Sequence, residues 1–116
     1  MKVYGIPNCD TVKKALDWFR ANNVMYEFHD FRKLGIPIEK LAEWDTKVGY
    51  EQFLNKKSTT WRELDDATKN SISDSGTALQ VLMEKTSMIK RPVIEDGDFL
   101  HFGFDEKVYS AHFLNS

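Results

Sequence analysis

The opening thirty residues switch from a strand period to a helix period and back, and few folds accept that order. Residues 2–6 read as a short strand that Pro7-Asn8 ends. A helix follows from near Cys9-Asp10 to about Asn22, because Val12, Ala15, Leu16 and Phe19 recur at the i, i+3, i+4, i+7 spacing of one apolar face. Asn22-Asn23 is a helix stop, and residues 24–31, rich in aromatic side chains, read as a second strand. Strand, helix and strand in direct succession make parallel neighbours through a right-handed crossover.

The rest of the chain fits around that unit. From Ile36 to about Lys85 the pattern is helical: Pro37 suits a first turn, and Ile38, Leu41, Ala42 and Val48 share one side. Thr60-Trp61-Arg62-Glu63 has capping-box spacing for a further short helix. Ala78, Leu79, Leu82 and Met83 mark an amphipathic helix that ends near Lys85-Thr86. Residues 92–95 and 99–102 read as two strands joined at Asp96-Gly97-Asp98, which contains the Asp-Gly pair of a tight hairpin. Asp105 caps a last helix that carries Val108 and Phe113 on one side. The expectation is one α/β domain over residues 1–116, thioredoxin-like, with a parallel βαβ start, a C-terminal β-hairpin and helix, and a helical insertion over about 36–85.

Composition removes several function classes. With 116 residues and 41% hydrophobic content the chain has material for one core. Its longest apolar runs fall far short of the ~18–20 residues of a membrane helix. Met1-Lys2-Val3-Tyr4-Gly5 lacks the apolar stretch of a secretory signal, so a cytoplasmic protein with no membrane partner is expected. Eleven Lys/Arg face eight Asp/Glu up to Arg62, and five face ten beyond it. Neither part is a basic arm, so direct nucleic-acid binding is not expected.

Chemistry concentrates on the single cysteine, Cys9. One cysteine excludes an internal disulfide and a multi-cysteine zinc site, so any thiol redox cycle draws its second sulfur from another molecule. Cys9 stands where a strand ends and a helix begins. The first N–H groups of a helix have no internal partner, and with the helix dipole they favour negative charge there. A thiol so placed has a lowered pKa, and its thiolate is the reactive form. Lys13 and Lys14 add positive potential one turn on, and Asp10 opposes them. The alternative role is that of a small, inert core residue, against which the polar context Pro7-Asn8-Cys9-Asp10-Thr11 argues.

Arg91-Pro92 is the second candidate. A proline that starts a strand can adopt the cis form, and Arg91 would set a fixed cation beside an anion; the alternative is a surface arginine before an edge strand. His29, His101 and His112 are scattered without ligand spacing, so no metal site is expected. Lys56-Lys57 and Arg62, with Trp61 between them, read as a solvated face or an anion site. Asp65-Asp66 and Glu95, Asp96 and Asp98 read as helix-start and turn acids. The six glycines form no phosphate loop.

These residues carry a resemblance. Tyr4-Gly5-Ile6-Pro7-Asn8-Cys9-Asp10-Thr11 with Lys13-Lys14-Ala15 resembles the start of the arsenate reductase (ArsC)/Spx family, and is most like its YffB-type branch. Phe28-His29-Asp30-Phe31-Arg32, the stretch from Phe53-Leu54-Asn55-Lys56-Lys57 to Trp61-Arg62, and Ile89-Lys90-Arg91-Pro92-Val93-Ile94 are similar to that branch in the same order. The resemblance implies a thioredoxin-like fold with a helical insertion. It implies Cys9 as catalytic cysteine and Arg91, before a cis Pro92, as the arginine that stabilises the thiolate or binds the anion. Asn8, Thr11, Val12, Arg91 and Pro92 are then the glutathione- or anion-binding residues. Members that reduce arsenate carry arginines at the segments aligned with Asn55-Lys56-Lys57 and Leu100-His101-Phe102-Gly103, which this chain lacks. Val12 stands where many relatives place the second cysteine of a Cys-x-x-Cys pair. The implied activity is a glutathione-dependent thiol reductase that uses one cysteine, forms a mixed disulfide with a small thiol or disulfide substrate, and takes glutathione as co-substrate with no bound cofactor. The alternatives are a Spx-like transcriptional regulator that binds the RNA polymerase α subunit, or an arsenate reductase.

Overall fold

The computed structural model describes residues 1–114 and divides the chain into two compact units. One comprises Met1–Phe31 together with the chain from Arg91 onward; the other is Arg32–Lys90.

The first unit holds a four-stranded sheet. Strand β1 (Lys2–Gly5) leads through helix α1 (Asp10–Ala21) to strand β2 (Glu27–Asp30), and β1 and β2 pair in parallel from Lys2↔Glu27 to Gly5↔Asp30. Strands β3 (Val93–Asp96) and β4 (Phe99–Phe102) form the antiparallel hairpin, and β3 pairs antiparallel with β1, giving the order β2-β1-β3-β4. This is the mixed α/β, thioredoxin-like arrangement that the sequence implies. The hairpin loop is Gly97-Asp98, within the expected Asp96-Gly97-Asp98 connection because β3 runs on through Asp96, and Gly97 takes φ 59°, which costs a glycine nothing.

Local chemistry explains where α1 stops. Asn22 N–H reaches Trp18 C=O, Asn23 N–H reaches Arg20 C=O at 3.3 Å, and Val24 N–H reaches Phe19 C=O at 2.9 Å. With Asn23 at φ 55°, this is a Schellman ending in which asparagine takes the left-handed place. The turn absorbs residues that the aromatic pattern assigns to a strand, so β2 begins only at Glu27. At its other end β2 gives way to a short helix, α2 (Phe31–Leu34), one residue early.

The core of this unit joins Val3, Ala15, Trp18, Phe19, Ile94 and Tyr109. Phe19 and Tyr109 stack at 5.2 Å between ring centroids, and Trp18 meets Tyr109 edge-on at 5.5 Å. Tyr109 belongs to the last helix and donates its phenol proton to Gly103 C=O at 2.8 Å. Burial, then the charge of Asp105, pushes its pKa well up. Trp18 and Tyr109, which apolar spacing alone passes over, are thus central to the packing.

In the second unit the helices are α3 (Ile38–Val48), α4 (Thr59–Glu63), α5 (Asp66–Ser71) and α6 (Ser75–Glu84); the last helix of the chain, α7 (Glu106–Phe113), belongs to the first unit. The expected helical block is therefore several short pieces. Pro37 is the cap of α3, just outside its first turn. Leu41 and Trp44 supply its buried side, whereas Ala42 and Val48 are exposed. The α4 cap is Ser58, whose hydroxyl accepts from Trp61 N–H at 3.1 Å, so the Thr60 capping box is not formed. A true capping box occurs at α6, between Asp74 and Thr77. Trp44 packs edge-on against Phe53 at 5.9 Å. No helix among the described residues is long and apolar enough to cross a membrane.

Candidate thiol site

Cys9 is the residue before the first turn of α1, with extended backbone (φ −98°, ψ 125°). Its carbonyl accepts the first helical bond from Lys13 N–H at 2.9 Å. The side chain is partly exposed and, as a neutral thiol and weak acceptor, closes no capping bond. The donors around it favour the anion instead. Partial burial pushes the thiol up; the N–H of Val12, the Arg91 side chain, the N–H of Thr11 and the Arg91 charge pull it down, and the balance holds Cys9 below its ordinary pKa.

Two features of the sheet bring these groups together. Tyr4 pairs with Val93, so the antiparallel β1–β3 register carries the start of β3, and Arg91 just before it, to the end of β1 from which Cys9 departs. The Arg91–Pro92 peptide is cis. The Nε of Arg91 is buried, so part of its guanidinium is removed from water. Pro92 is buried, and its carbonyl accepts from Gly103 N–H at 2.8 Å.

Gly5 is the positioning residue that motif reading passed over. A Cβ built on it would lie 2.8 Å from Cγ2 of Val12. Val12 is fully buried and β-branched, with little rotamer freedom in a helix. The end of β1 and the first turn of α1 therefore approach as closely as they do because position 5 has no side chain. The available signal was a glycine closing a strand just ahead of a helix start.

Of the sequence candidates, Cys9, Thr11, Val12 and Arg91 converge. Asn8, Lys13 and Lys14 are exposed around them. The histidines lie elsewhere: His29 is 4.9 Å from the Tyr4 ring, His101 lies in β4, and His112 stacks on Phe99 at 3.8 Å and meets Asp96 Oδ2 at 2.8 Å. Among the described residues no three His, Cys, Asp or Glu side chains are grouped to hold a metal.

Comparison with known proteins bears on this geometry. The ArsC family model matches residues 4–112. An uncharacterized protein of Haemophilus influenzae is 50% identical over 112 residues, covering 96% of each chain. The solved structure of a YffB protein shares 41% identity at a TM-score of 0.90, covering 95% of this chain and 96% of its own. An arsenate reductase (ArsC) related protein from Brucella melitensis shares 38% identity at a TM-score of 0.75, covering 97% and 92%. More distant are the global transcriptional regulator Spx of Streptococcus mutans (24% identical, covering 86% of this chain and 73% of its own) and the regulatory protein MgsR of Bacillus subtilis (27%, covering 88% and 81%).

Proposed function

The chain belongs to the ArsC family, and from that premise we propose that it is a glutathione-dependent thiol reductase with Cys9 as its nucleophile. The observation that supports this most is the lowered Cys9 pKa, produced by two helix N–H groups and Arg91 around a partly exposed sulfur. Cys9 thiolate attacks the glutathione sulfur of a glutathionylated substrate. A new S–S bond forms to Cys9, the substrate S–S bond breaks, and the substrate leaves as a thiolate that takes a proton from water. With no second cysteine in the chain, a glutathione thiolate attacks the mixed disulfide and releases oxidised glutathione and Cys9 thiolate. The substrate sulfur is reduced to a thiol and one free glutathione is oxidised, leaving as oxidised glutathione joined to the glutathione that came with the substrate. The N–H groups of Thr11 and Val12 and the Arg91 guanidinium stabilise the sulfur anion at both ends of the cycle. Asn8 and Pro92 are the proposed contacts for the glutathione backbone.

A pH titration of the Cys9 alkylation rate tests this reading. The apparent pKa should be below that of a free thiol and should rise in Arg91→Ala. At neutral pH the variant should react about tenfold or more slowly, the scale of a hydrogen bond to a charged group. An ordinary pKa that Arg91→Ala leaves in place would refute the assignment.

The relatives named Spx and MgsR favour a second reading, a regulatory binding module. Under it the chain would engage the RNA polymerase α subunit, as its resemblance to Spx implies. Recovery of polymerase from lysate with wild-type and Cys9→Ala protein alike would support it.

A further inference from the structure

We propose that the Arg32–Lys90 unit carries a second site, a cleft that binds a small organic anion with an apolar body. The cleft has a volume of about 430 Å³, within the range of small-ligand pockets. Tyr50, Leu54 and Ile72 give it an apolar wall, and three lysines, Lys56, Lys57 and Lys90, are among the residues that line it. Glu51 is its one carboxylate.

Backbone pairing holds the lysines together. Leu54 and Ile89 form an antiparallel bridge, with Asn55 N–H donating to Met88 C=O at 2.7 Å and Lys90 N–H to Phe53 C=O at 2.9 Å. This fixes Lys90 beside the loop that bears Lys56 and Lys57. The Asn55 side chain tightens that loop by accepting Lys57 N–H at 3.0 Å. Lys56 Nζ is held 5.4 Å from the centre of the Trp61 ring.

Among the described residues, none of the three ammonium groups forms an ion pair, and neither does Glu51. Three like charges that face a single carboxylate, with which none of them pairs, repel one another, and a bound anion lowers that repulsion. Lysine is a point charge without the arginine fork, so it takes a carboxylate or a phosphate head group equally well. The apolar wall is what separates the expected ligand from a bare inorganic ion. The inference does not depend on Cys9.

The test is titration of the full chain with phenyl phosphate, benzoate and inorganic phosphate, followed through its amide NMR signals. Phenyl phosphate or benzoate should shift Tyr50, Leu54 and Ile72 saturably at millimolar concentration. The better of the two should bind at least about threefold more tightly than inorganic phosphate, roughly what burying one or two methylene-sized groups contributes. Whichever of the two binds more tightly identifies the native head group. Each lysine-to-glutamine change should weaken binding about two- to fivefold, the range of an exposed ion pair. Lys56→Gln/Lys57→Gln/Lys90→Gln together should abolish it while signal dispersion shows the fold intact. Glu51→Gln should strengthen binding by a similar factor. Absence of saturable shifts, equal binding of inorganic phosphate, unchanged binding in the triple variant, or weaker binding in Glu51→Gln would each overturn the proposal.

Discussion

Helices α1 and α7 belong to the same unit and begin in the same way, yet their first N–H groups are used differently. At α7 the Asp105 carboxylate accepts from Lys107 N–H at 3.0 Å and Val108 N–H at 3.2 Å. At α1 the equivalent donors, Thr11 N–H and Val12 N–H, face the sulfur of Cys9, which closes no capping bond as a thiol. A carboxylate cap saturates a helix end and makes it inert. A sulfur cap leaves the donors under-used until the sulfur becomes an anion. The same unsatisfied backbone that α7 spends on stability is held at α1 for chemistry, and Arg91 adds to it.

Replacement of Cys9 breaks this contrast most sharply. Cys9→Ser should lower turnover with a glutathionylated substrate by about a thousandfold or more, since a nucleophile is lost. The same change installs a preferred capping hydroxyl, so at a pH acid enough to keep the Cys9 thiol protonated the variant should be more stable than wild type by up to about 1 kcal/mol. A dead but stabilised protein is the expected pair of results, read by a coupled reductase assay and by thermal melting. Retained turnover would remove Cys9 from the mechanism.

Next in size is Gly5→Ala. The added methyl meets Val12, a stiff and buried neighbour, and overpacking of this kind costs about 1–3 kcal/mol. Val12 also provides one of the donors to Cys9, so the substitution should raise the apparent Cys9 pKa as well as lower the melting temperature. Gly97→Ala, remote from the thiol, serves as a comparison that should destabilise without moving the Cys9 titration. If Gly5→Ala leaves the titration in place, the close strand–helix approach is structural only.

How much of this was legible beforehand follows from range. Helix α1, the hairpin and the Asp105 cap were readable because each depends on residues a few positions apart. The Thr60 cap failed because Ser58, two residues earlier, offered a competing hydroxyl. Ala42 and Val48 have the right spacing for a buried side, but Trp44, larger and one turn on from Leu41, takes the interior position. At the site, Cys9 carried its own local signal in the strand-to-helix junction. Arg91 did not, because its meeting with Cys9 rests on the Tyr4↔Val93 register, a pairing no local pattern encodes. Family resemblance supplied that link. Gly5 was invisible for the same reason: its role is set by Val12 across a turn.

Smaller in effect is a paired truncation. Asp105→Ala should cost about 1 kcal/mol, a fall of roughly 4–8 °C in melting temperature, because two N–H groups lose their acceptor. Cys9→Ala, measured on the acid plateau where the thiol is protonated in both states, should cost less than about 0.5 kcal/mol, because the protonated thiol closes no bond to lose. Equal costs at the two helix ends would mean that the thiol already caps α1 and that its donors are not in reserve.

The finest test follows the Cys9 difference with pH. Cys9 has a lower pKa folded than unfolded, so between those two values the native chain has lost a proton that the unfolded chain retains. The unfolded state binds more protons there, and stability rises with pH. The stability of wild type relative to Cys9→Ala should therefore be flat at acid pH, climb through the window below the ordinary thiol pKa, and level off above it. The stabilisation is lost again as pH falls through the folded value. Chemical denaturation at a series of pH values reads the difference directly. A slope of the opposite sign would mean that burial outweighs the donors and raises the Cys9 pKa, and the contrast between the two helix ends would then be one of packing rather than charge.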